Sequence, residues 1–197
     1  MDTLAKIISI VFQPLFVPLY GMLLLFNCHY FYFDISYKVM VFLGFTIGVC
    51  IIPLVCSLFL YSVQSLTKLE REKRHFIYII TLIAYIFTGY LLMKIHFPFS
   101  LLVMYAGCVI TVFLLTVINF FWKISAHATV VGCLCGYVFL VNLYTHTNPY
   151  GLFCIIILLV GIVGWARLRL QAHTLAQVLF GYILGVLPSL LSIPLFL

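Results

Sequence analysis

An arginine, a histidine and a glutamine stand between two strongly apolar runs, at Arg167, His173 and Gln177. Ionisable groups at the end of a membrane helix are costly, so they usually mark a functional site. An arginine guanidinium binds phosphate through paired hydrogen bonds, and a histidine that opens a helix lies where backbone N–H groups favour an anion. Gln177 follows His173 by one helical turn on the same face, where its side chain can hold the imidazole. The stretch therefore predicts half of an anion-binding active site.

Composition indicates that membrane helices position these residues. Of the 197 residues, 66% are hydrophobic and 7% are charged, a balance that soluble globular domains do not show. We predict an all-α, polytopic membrane helix bundle of six or seven spans in one domain, residues 1–197, because the apolar runs approach the roughly 20 residues that cross a bilayer. Ile7–Phe26 is kept as a span because it is too long for a signal peptide and lacks a clear cleavage site. Seven spans are placed at about 4–26, 39–60, 76–93, 101–121, 128–143, 151–165 and 174–197.

The predicted spans bring three polar segments to one membrane face. These are the stretch around Arg167 and His173, the segment 68–75 (K-L-E-R-E-K-R-H) and the segment 122–127 (W-K-I-S-A-H). Eight of the ten Lys and Arg residues fall on this side: Lys6, Lys68, Arg71, Lys73, Arg74, Lys123, Arg167 and Arg169. The positive-inside rule would make this side cytoplasmic, but residues that bind phosphate do not report topology. The residues alone leave the orientation open.

The acidic residues and the cysteines argue against several kinds of site. The four acidic residues are Asp2, Asp34, Glu70 and Glu72, and none lies in a predicted span. This argues against a carboxylate proton relay and against Mg²⁺-dependent transfer on paired carboxylates. The seven cysteines are odd in number and lack CxxC spacing. We therefore interpret them as small apolar side chains, not as a disulfide framework or a metal site.

The three polar segments resemble the motifs of the type-2 phosphatidic acid phosphatase superfamily, the membrane relatives of vanadium haloperoxidases. That family carries K-x6-R-P, P-S-G-H and S-R-x5-H-x3-D in this order. The third motif matches the spacing of Arg167, His173 and Gln177, and the second matches Ser125 and His127. The first is recognisable only as the basic segment 68–75, in which the Lys-to-Arg spacing is one residue short and no proline follows. The forms W-K-I-S-x-H and A-R-L-x-L-x-A-H-T-x-A-Q resemble a compact bacterial branch.

The resemblance implies a role for each motif residue. His173 would be the nucleophile that forms a phosphohistidine, and His127 would protonate the leaving oxygen. Gln177 stands where the family has an aspartate that orients the nucleophilic histidine. Arg167 and Ser125 would bind the phosphoryl oxygens. Further phosphate ligands are expected among the basic residues Lys68, Arg71, Arg74 and Lys123.

The function implied by the resemblance is hydrolysis of a lipid phosphate or diphosphate held in the bilayer. A polyprenyl, phosphatidyl or lipid A type of substrate would fit. The phosphohistidine mechanism needs no metal or other cofactor, and we expect no nucleic-acid partner. By resemblance the protein lies in a bacterial cytoplasmic membrane with its site facing the periplasm, against the count of basic residues.

Two alternatives remain open on the sequence. Gln177 can accept the ring N–H of His173 but brings no charge, and replacing the corresponding aspartate of a serine protease by asparagine costs about 10⁴-fold. The chain could therefore be a weak or inactive lipid-phosphate binder, or a flippase-like protein. In the second alternative, His75, His127 and His173 bind zinc with water as the fourth ligand. Carboxylates that would support such ligands are scarce.

Overall fold

A computed structural model of the chain describes residues 1–27, 33–60, 71–145 and 150–191, and these ranges are helical apart from short connections. The helices are α1 Asp2–Val11, α2 Val17–Phe26, α3 Ile35–Thr46, α4 Ile52–Leu60, α5 Arg71–Lys94, α6 Phe99–Phe121, α7 Ala126–Thr145, α8 Tyr150–Arg169 and α9 Leu175–Leu191. A π-helical turn, Ile47–Ile51, joins α3 to α4 without a break. Pro53 follows this turn, and a proline lacks the N–H that would continue the regular α-helical bonding.

Five helical segments are long and apolar enough to cross a membrane. They are Ile35–Phe59, Arg74–Lys94, Phe99–Phe121, Ala126–Leu143 and Gly151–Arg169, and α2 and α9 are shorter apolar helices. The prediction of an all-α polytopic bundle is thus confirmed.

The predicted continuous first span 4–26 was wrong in detail. The chain leaves the helix between α1 and α2, around Pro14, whose ring fixes φ and removes a backbone donor. The predicted last span reached residue 197, of which residues 192–197 lie outside the described part.

The chain divides into two compact units. The first comprises Met1–Gly21 and Ile124–Leu197, and the second comprises Met22–Lys123. The first unit contains α1, α7, α8 and α9 and all residues of the second and third sequence motifs. The second contains the basic segment 68–75 and Lys123, together with the apolar hairpin that α5 and α6 form, as predicted for 76–121.

Within the first unit, α7 and α9 pack closely through glycines. Each helix carries two glycines spaced four residues apart, Gly132 and Gly136 on α7 and Gly181 and Gly185 on α9. A Cβ added at Gly132 would lie 2.6 Å from the carbonyl oxygen of Tyr182, so the two backbones are nearly in contact. Glycines at this spacing let membrane helices approach closely, where van der Waals packing replaces the hydrophobic effect as the driving force.

These contacts also fix the direction of the two helices. Gly181 lies against the carbonyl of Ser125, Gly185 lies against α7 one turn further on, and Gly136 lies against Ser189 near the other end. The contacts advance together along both chains, so α7 and α9 are parallel and their N-termini lie at the same end. In the chain, α8 runs back from the C-terminal end of α7 to the N-terminal end of α9. Its last turn, which carries Arg167, therefore reaches the same end of the unit.

In the second unit, two histidines have structural roles. His96 adopts a left-handed conformation, with φ of 54°, just after α5. The Phe97 N–H returns to the Leu92 carbonyl, as in a Schellman cap. His75 stacks on Phe120 with ring centroids 4.2 Å apart.

Candidate active site

His173 lies just before α9, and Gln177 holds its ring. His173 Nδ1 and Gln177 Oε1 are 3.0 Å apart, and the same Oε1 accepts the Thr174 N–H at 3.2 Å. A backbone N–H can only donate, so this network identifies the Gln177 atom as the amide oxygen. Nδ1 of His173 therefore carries the proton, and Nε2 carries the lone pair. The His173 side chain is 7% exposed, so the imidazole is both oriented and largely shielded from solvent.

Gln177 also belongs to a capping box at the start of α9. Its own N–H donates to the Thr174 hydroxyl at 3.4 Å, while its side chain accepts from the Thr174 N–H. Reciprocal bonds of this kind satisfy two backbone donors that no helical carbonyl can reach. The sequence signature S/T-x-x-E/Q is present as T-L-A-Q from Thr174 to Gln177. The amide thus orients His173 and caps the helix with a single oxygen.

A Schellman motif links Arg167 to His173. The Ala172 N–H returns to the Arg167 carbonyl at 3.2 Å, and the Gln171 N–H returns to the Leu168 carbonyl at 2.9 Å. Gln171 takes the left-handed position of this motif, with φ of 50°, where glycine is usual. The turn therefore ends α8 at Arg169, two residues after Arg167, and directs the chain to His173 within a few residues.

The left-handed Gln171 leads to a stability prediction. Gln171→Gly should raise the free energy of unfolding by about 0.5–1 kcal/mol. Removing the Cβ relieves about 1–2 kcal/mol of steric cost at this φ, and the greater conformational entropy of glycine in the unfolded chain offsets part of this gain. Gln171→Ile should lower it, since a β-branched residue fits this conformation worst. Thermal unfolding of the purified variants in detergent checks both signs. Equal melting temperatures for the two variants would contradict the argument.

Ser125 begins α7 and ties the second motif to the third. Its side-chain oxygen accepts the Ala128 N–H at 3.4 Å, as an N-cap residue does, and its N–H donates to the Gln177 carbonyl at 3.3 Å. Ser125 is 0% exposed. The bond to Gln177 joins the N-terminal ends of α7 and α9. His127, in the first turn of α7, is thereby held at the end of the unit that carries His173.

Both His127 and Arg167 contact Ser9 of α1, a residue that the sequence reasoning missed. His127 Nε2 lies 3.1 Å from the Ser9 carbonyl oxygen, and Arg167 Nη1 donates to the Ser9 hydroxyl at 3.2 Å. Arg169 pairs with Asp2 at 3.0 Å. A polar stripe at helical spacing, formed by Asp2, Lys6 and Ser9, was the available signal.

The remaining predicted phosphate ligands belong to the second unit. Lys68 lies outside the described residues, and Arg71 stands in the first turn of α5. Arg74 and Lys123 are half-buried. Their role as phosphate ligands stays a prediction.

The zinc hypothesis gains no support from the described ranges. Among these residues, no group of three or more His, Cys, Asp or Glu side chains could hold a metal ion. His75 instead places Nε2 3.1 Å from the Asn119 carbonyl oxygen. His173 is held by Gln177 and His127 by Ser9.

Comparison with known proteins bears on the same part of the chain. Residues 119–196 match the family model of the PAP2 superfamily. The match spans the second and third motifs and does not include the basic segment 68–75 or α1. No curated protein and no solved structure matches the chain. The C-terminal part of the chain is thus similar to the PAP2 superfamily, the type-2 phosphatidic acid phosphatase superfamily whose motifs the sequence resembles.

Proposed function

We propose that this membrane protein removes phosphate from a lipid phosphate or diphosphate through a histidine nucleophile, without a metal. The observation that carries the proposal is the network around Gln177, which puts the proton of His173 on Nδ1 and the lone pair on Nε2. A histidine that attacks through Nε2 needs this tautomer, in which Nδ1 carries the proton and donates it to an orienting group. The family-model match over residues 119–196 and the candidate membrane spans support the coarser assignment to a membrane phosphatase family.

In the first half of the proposed reaction, Nε2 of His173 attacks the phosphorus atom. The N–P bond forms while the P–O bond to the lipid breaks, and the electron pair of that bond leaves with the lipid oxygen. His127 supplies a proton to this oxygen, which makes the lipid alcohol, or the lipid monophosphate when the substrate is a diphosphate. Arg167 compensates the negative charge that spreads over the phosphoryl oxygens in the transition state.

In the second half, water attacks the phosphorus atom of the phosphohistidine. The N–P bond breaks, its electron pair returns to Nε2, and His127 takes up the proton of the attacking water. Inorganic phosphate leaves and both histidines are restored. The net reaction consumes one water molecule per phosphate released, and neither a metal nor a redox partner takes part in it.

The position of the site favours a lipid substrate. Arg167 lies in the last turn of a candidate membrane span and His127 in the first turn of another, so both stand at the depth of lipid headgroups. A headgroup phosphate can reach this depth while its tail stays in the hydrocarbon region. Polyprenyl, phosphatidyl and lipid A phosphates all meet this requirement. We place the site on the periplasmic side of a bacterial cytoplasmic membrane, as the family resemblance implies.

A substrate panel tests the proposal directly. The purified protein, with a chelator present, is given a polyprenyl phosphate, a polyprenyl diphosphate, phosphatidic acid, phosphatidylglycerophosphate and a lipid A phosphate. Release of phosphate from at least one of them, unchanged by the chelator, is expected. Loss of all release on chelation would contradict the metal-free mechanism. Binding of these lipids without any turnover would favour the alternative of a lipid-phosphate binder or flippase-like protein.

Gln177 offers a graded test of the orienting group. Gln177→Glu keeps the length of the side chain and an oxygen for both hydrogen bonds, and adds a charge that stabilises the imidazolium formed during the reaction. We expect kcat to rise by about 10-fold, the difference between a charged and a neutral hydrogen bond. Gln177→Leu should lower kcat by about 10²–10⁴-fold, because the tautomer and ring orientation are lost. A Gln177→Leu variant as active as the wild type would remove His173 from its proposed role.

A further inference from the structure

The N-terminal helix α1 supplies a residue to the site, and this inference rests on the proposed function. We propose that Ser9 is a positioning residue of the phosphate site, which holds Arg167 through its hydroxyl and His127 through its carbonyl. Ser9 lies outside all three sequence motifs and outside the matched residues 119–196. The site would then be built from α1, α7, α8 and the start of α9, all in the first unit.

The geometry points to Ser9 because this one residue contacts two side chains of the proposed mechanism, Arg167 and His127. The Ser9 hydroxyl accepts from Arg167 Nη1 at 3.2 Å, and the Ser9 carbonyl lies 3.1 Å from His127 Nε2. Arg167 and His127 stand 40 residues apart in the sequence, on different helices. Their convergence on the backbone and side chain of the same half-buried residue makes Ser9 the point where the second and third motifs meet α1.

The carbonyl of Ser9 is well placed for this role. It lies in the last turn of α1, where helical carbonyls have no intrahelical partner and the helix dipole is negative. A carbonyl can only accept, so the contact with His127 requires a proton on Nε2 of that ring. While this contact lasts, His127 exchanges protons with the substrate through Nδ1. Ser9 therefore fixes which nitrogen acts as the acid.

The hydroxyl of Ser9 acts on Arg167 in a different way. It accepts from Nη1 at 3.2 Å and so holds the guanidinium group in one position before phosphate binds. An arginine held by this bond loses less side-chain freedom when phosphate binds. Ordering one long side chain costs about 0.5–1.5 kcal/mol. Near the other end of α1, Asp2 contacts Arg169 of α8 at 3.0 Å, as an exposed ion pair.

Phosphate affinity of single and double variants tests the inference. Dissociation constants for inorganic phosphate and orthovanadate are measured with the purified full chain in detergent, which requires no turnover. Ser9→Ala should weaken binding by about 2- to 10-fold, the affinity equivalent of the ordering cost. In an Arg167→Ala background, Ser9→Ala should add no further loss, because its partner is gone. Ser9→Thr should stay within about twofold of the wild type, since threonine keeps the hydroxyl.

Thr3→Ala is the matched control, because Thr3 is an exposed hydroxyl residue of the same helix. It should bind phosphate like the wild type, and all variants should keep the wild-type melting temperature within a few degrees. Ser9→Ala with unchanged affinity would overturn the inference, and so would tighter binding, which would make Ser9 a competitor of phosphate. The expected pattern in a protein that hydrolyses no lipid phosphate would uphold Ser9 and contradict the proposed function. A wild-type chain that binds neither anion would overturn both.

Discussion

Replacing His173 by alanine is expected to lower phosphate release by at least about 10⁴-fold, for every substrate that the protein accepts. Loss of a nucleophile removes the covalent route altogether, and residual catalysis then comes only from binding and charge compensation. The buried ring is held by Gln177 at 3.0 Å, whereas the neighbouring Thr174 hydroxyl accepts the Gln177 N–H in the capping box. Phosphate release from a lipid phosphate and from a nitrophenyl phosphate is the measurement.

His127→Ala separates the acid from the nucleophile in the same assay. A lipid alkoxide is a poor leaving group that needs a proton, whereas nitrophenolate leaves without one. We therefore expect release of the leaving group in the first turnover to slow by about 10²–10⁴-fold for the lipid alcohol and much less for nitrophenolate. His173→Ala should be equally inactive on both. Equal losses for His127→Ala on the two substrates would mean that His127 does not protonate the leaving oxygen.

His75→Ala serves as the control for both histidine variants. His75 stacks on Phe120 and contacts the Asn119 carbonyl in the second unit, away from the capping turn in sequence and role. We expect it to retain the substrate preference of the wild type. A His75→Ala variant that fails on the lipid phosphate as completely as His173→Ala would contradict the assignment of the nucleophile to the third motif.

Gly185→Ala is expected to lower both stability and activity, although Gly185 has no assigned role in the reaction. A Cβ at this position would collide with the Thr129 carbonyl oxygen and would lie 2.6 Å from the Cys133 N. Both are backbone atoms, which cannot move away by a rotamer change as the end of a flexible side chain can. We expect the free energy of unfolding to fall by about 1–3 kcal/mol, the usual cost of overpacking.

The same change should also impair the reaction. Parallel helices α7 and α9 carry His127 and His173 at the same end, so a shift between the helices moves the two histidines relative to each other. A displacement of 1 Å at reacting groups can cost about 10²-fold in rate. We therefore expect kcat to fall by about 10²-fold in the protein that remains folded. Unfolding in detergent and kcat of the folded fraction are measured together.

Gly161→Ala is the matched control for Gly185→Ala. Gly161 lies in α8, and a Cβ there would meet no atom within 4 Å. Alanine is favoured over glycine inside a helix by about 1 kcal/mol. Gly161→Ala should therefore preserve or raise stability and leave kcat unchanged. If Gly185→Ala behaved in the same way, the close approach of α7 and α9 would not be what positions the site.

Sequence reasoning was most reliable where the signal is local. The spacing of Arg167, His173 and Gln177 identified a stretch whose geometry the Schellman motif and the capping box produce from nearest neighbours along the chain. The capping box itself was visible as T-L-A-Q but was not used, so Gln177 was judged only as a missing charge. The contact of Oε1 with the Thr174 N–H shows that the amide still fixes the tautomer of His173. The Asp-to-Asn precedent, which acts through the wrong tautomer, therefore overstates the expected loss.

Tertiary arrangement was harder to predict. The paired glycines of α7 and α9 were present in the sequence, but only the packing shows that they face each other and set two helices parallel. The role of Ser9 depends on a contact between residues separated by more than 100 positions, which no local pattern reports. The continuous apolar run favoured a single first span with a kink at Pro14, whereas the chain leaves the helix there altogether.

Trapping the phosphorylated intermediate tests the central claim most directly. The protein is mixed with a lipid phosphate that it hydrolyses, labelled at phosphorus, and the reaction is stopped with alkali within the first turnover, because a phosphohistidine survives base and is lost in acid. Peptide mass spectrometry then locates the label. We predict label on the peptide that contains His173, absent in His173→Ala and increased in His127→Ala when a nitrophenyl phosphate is the donor. Phosphate release at the normal rate with no label on His173 would contradict the phosphohistidine mechanism.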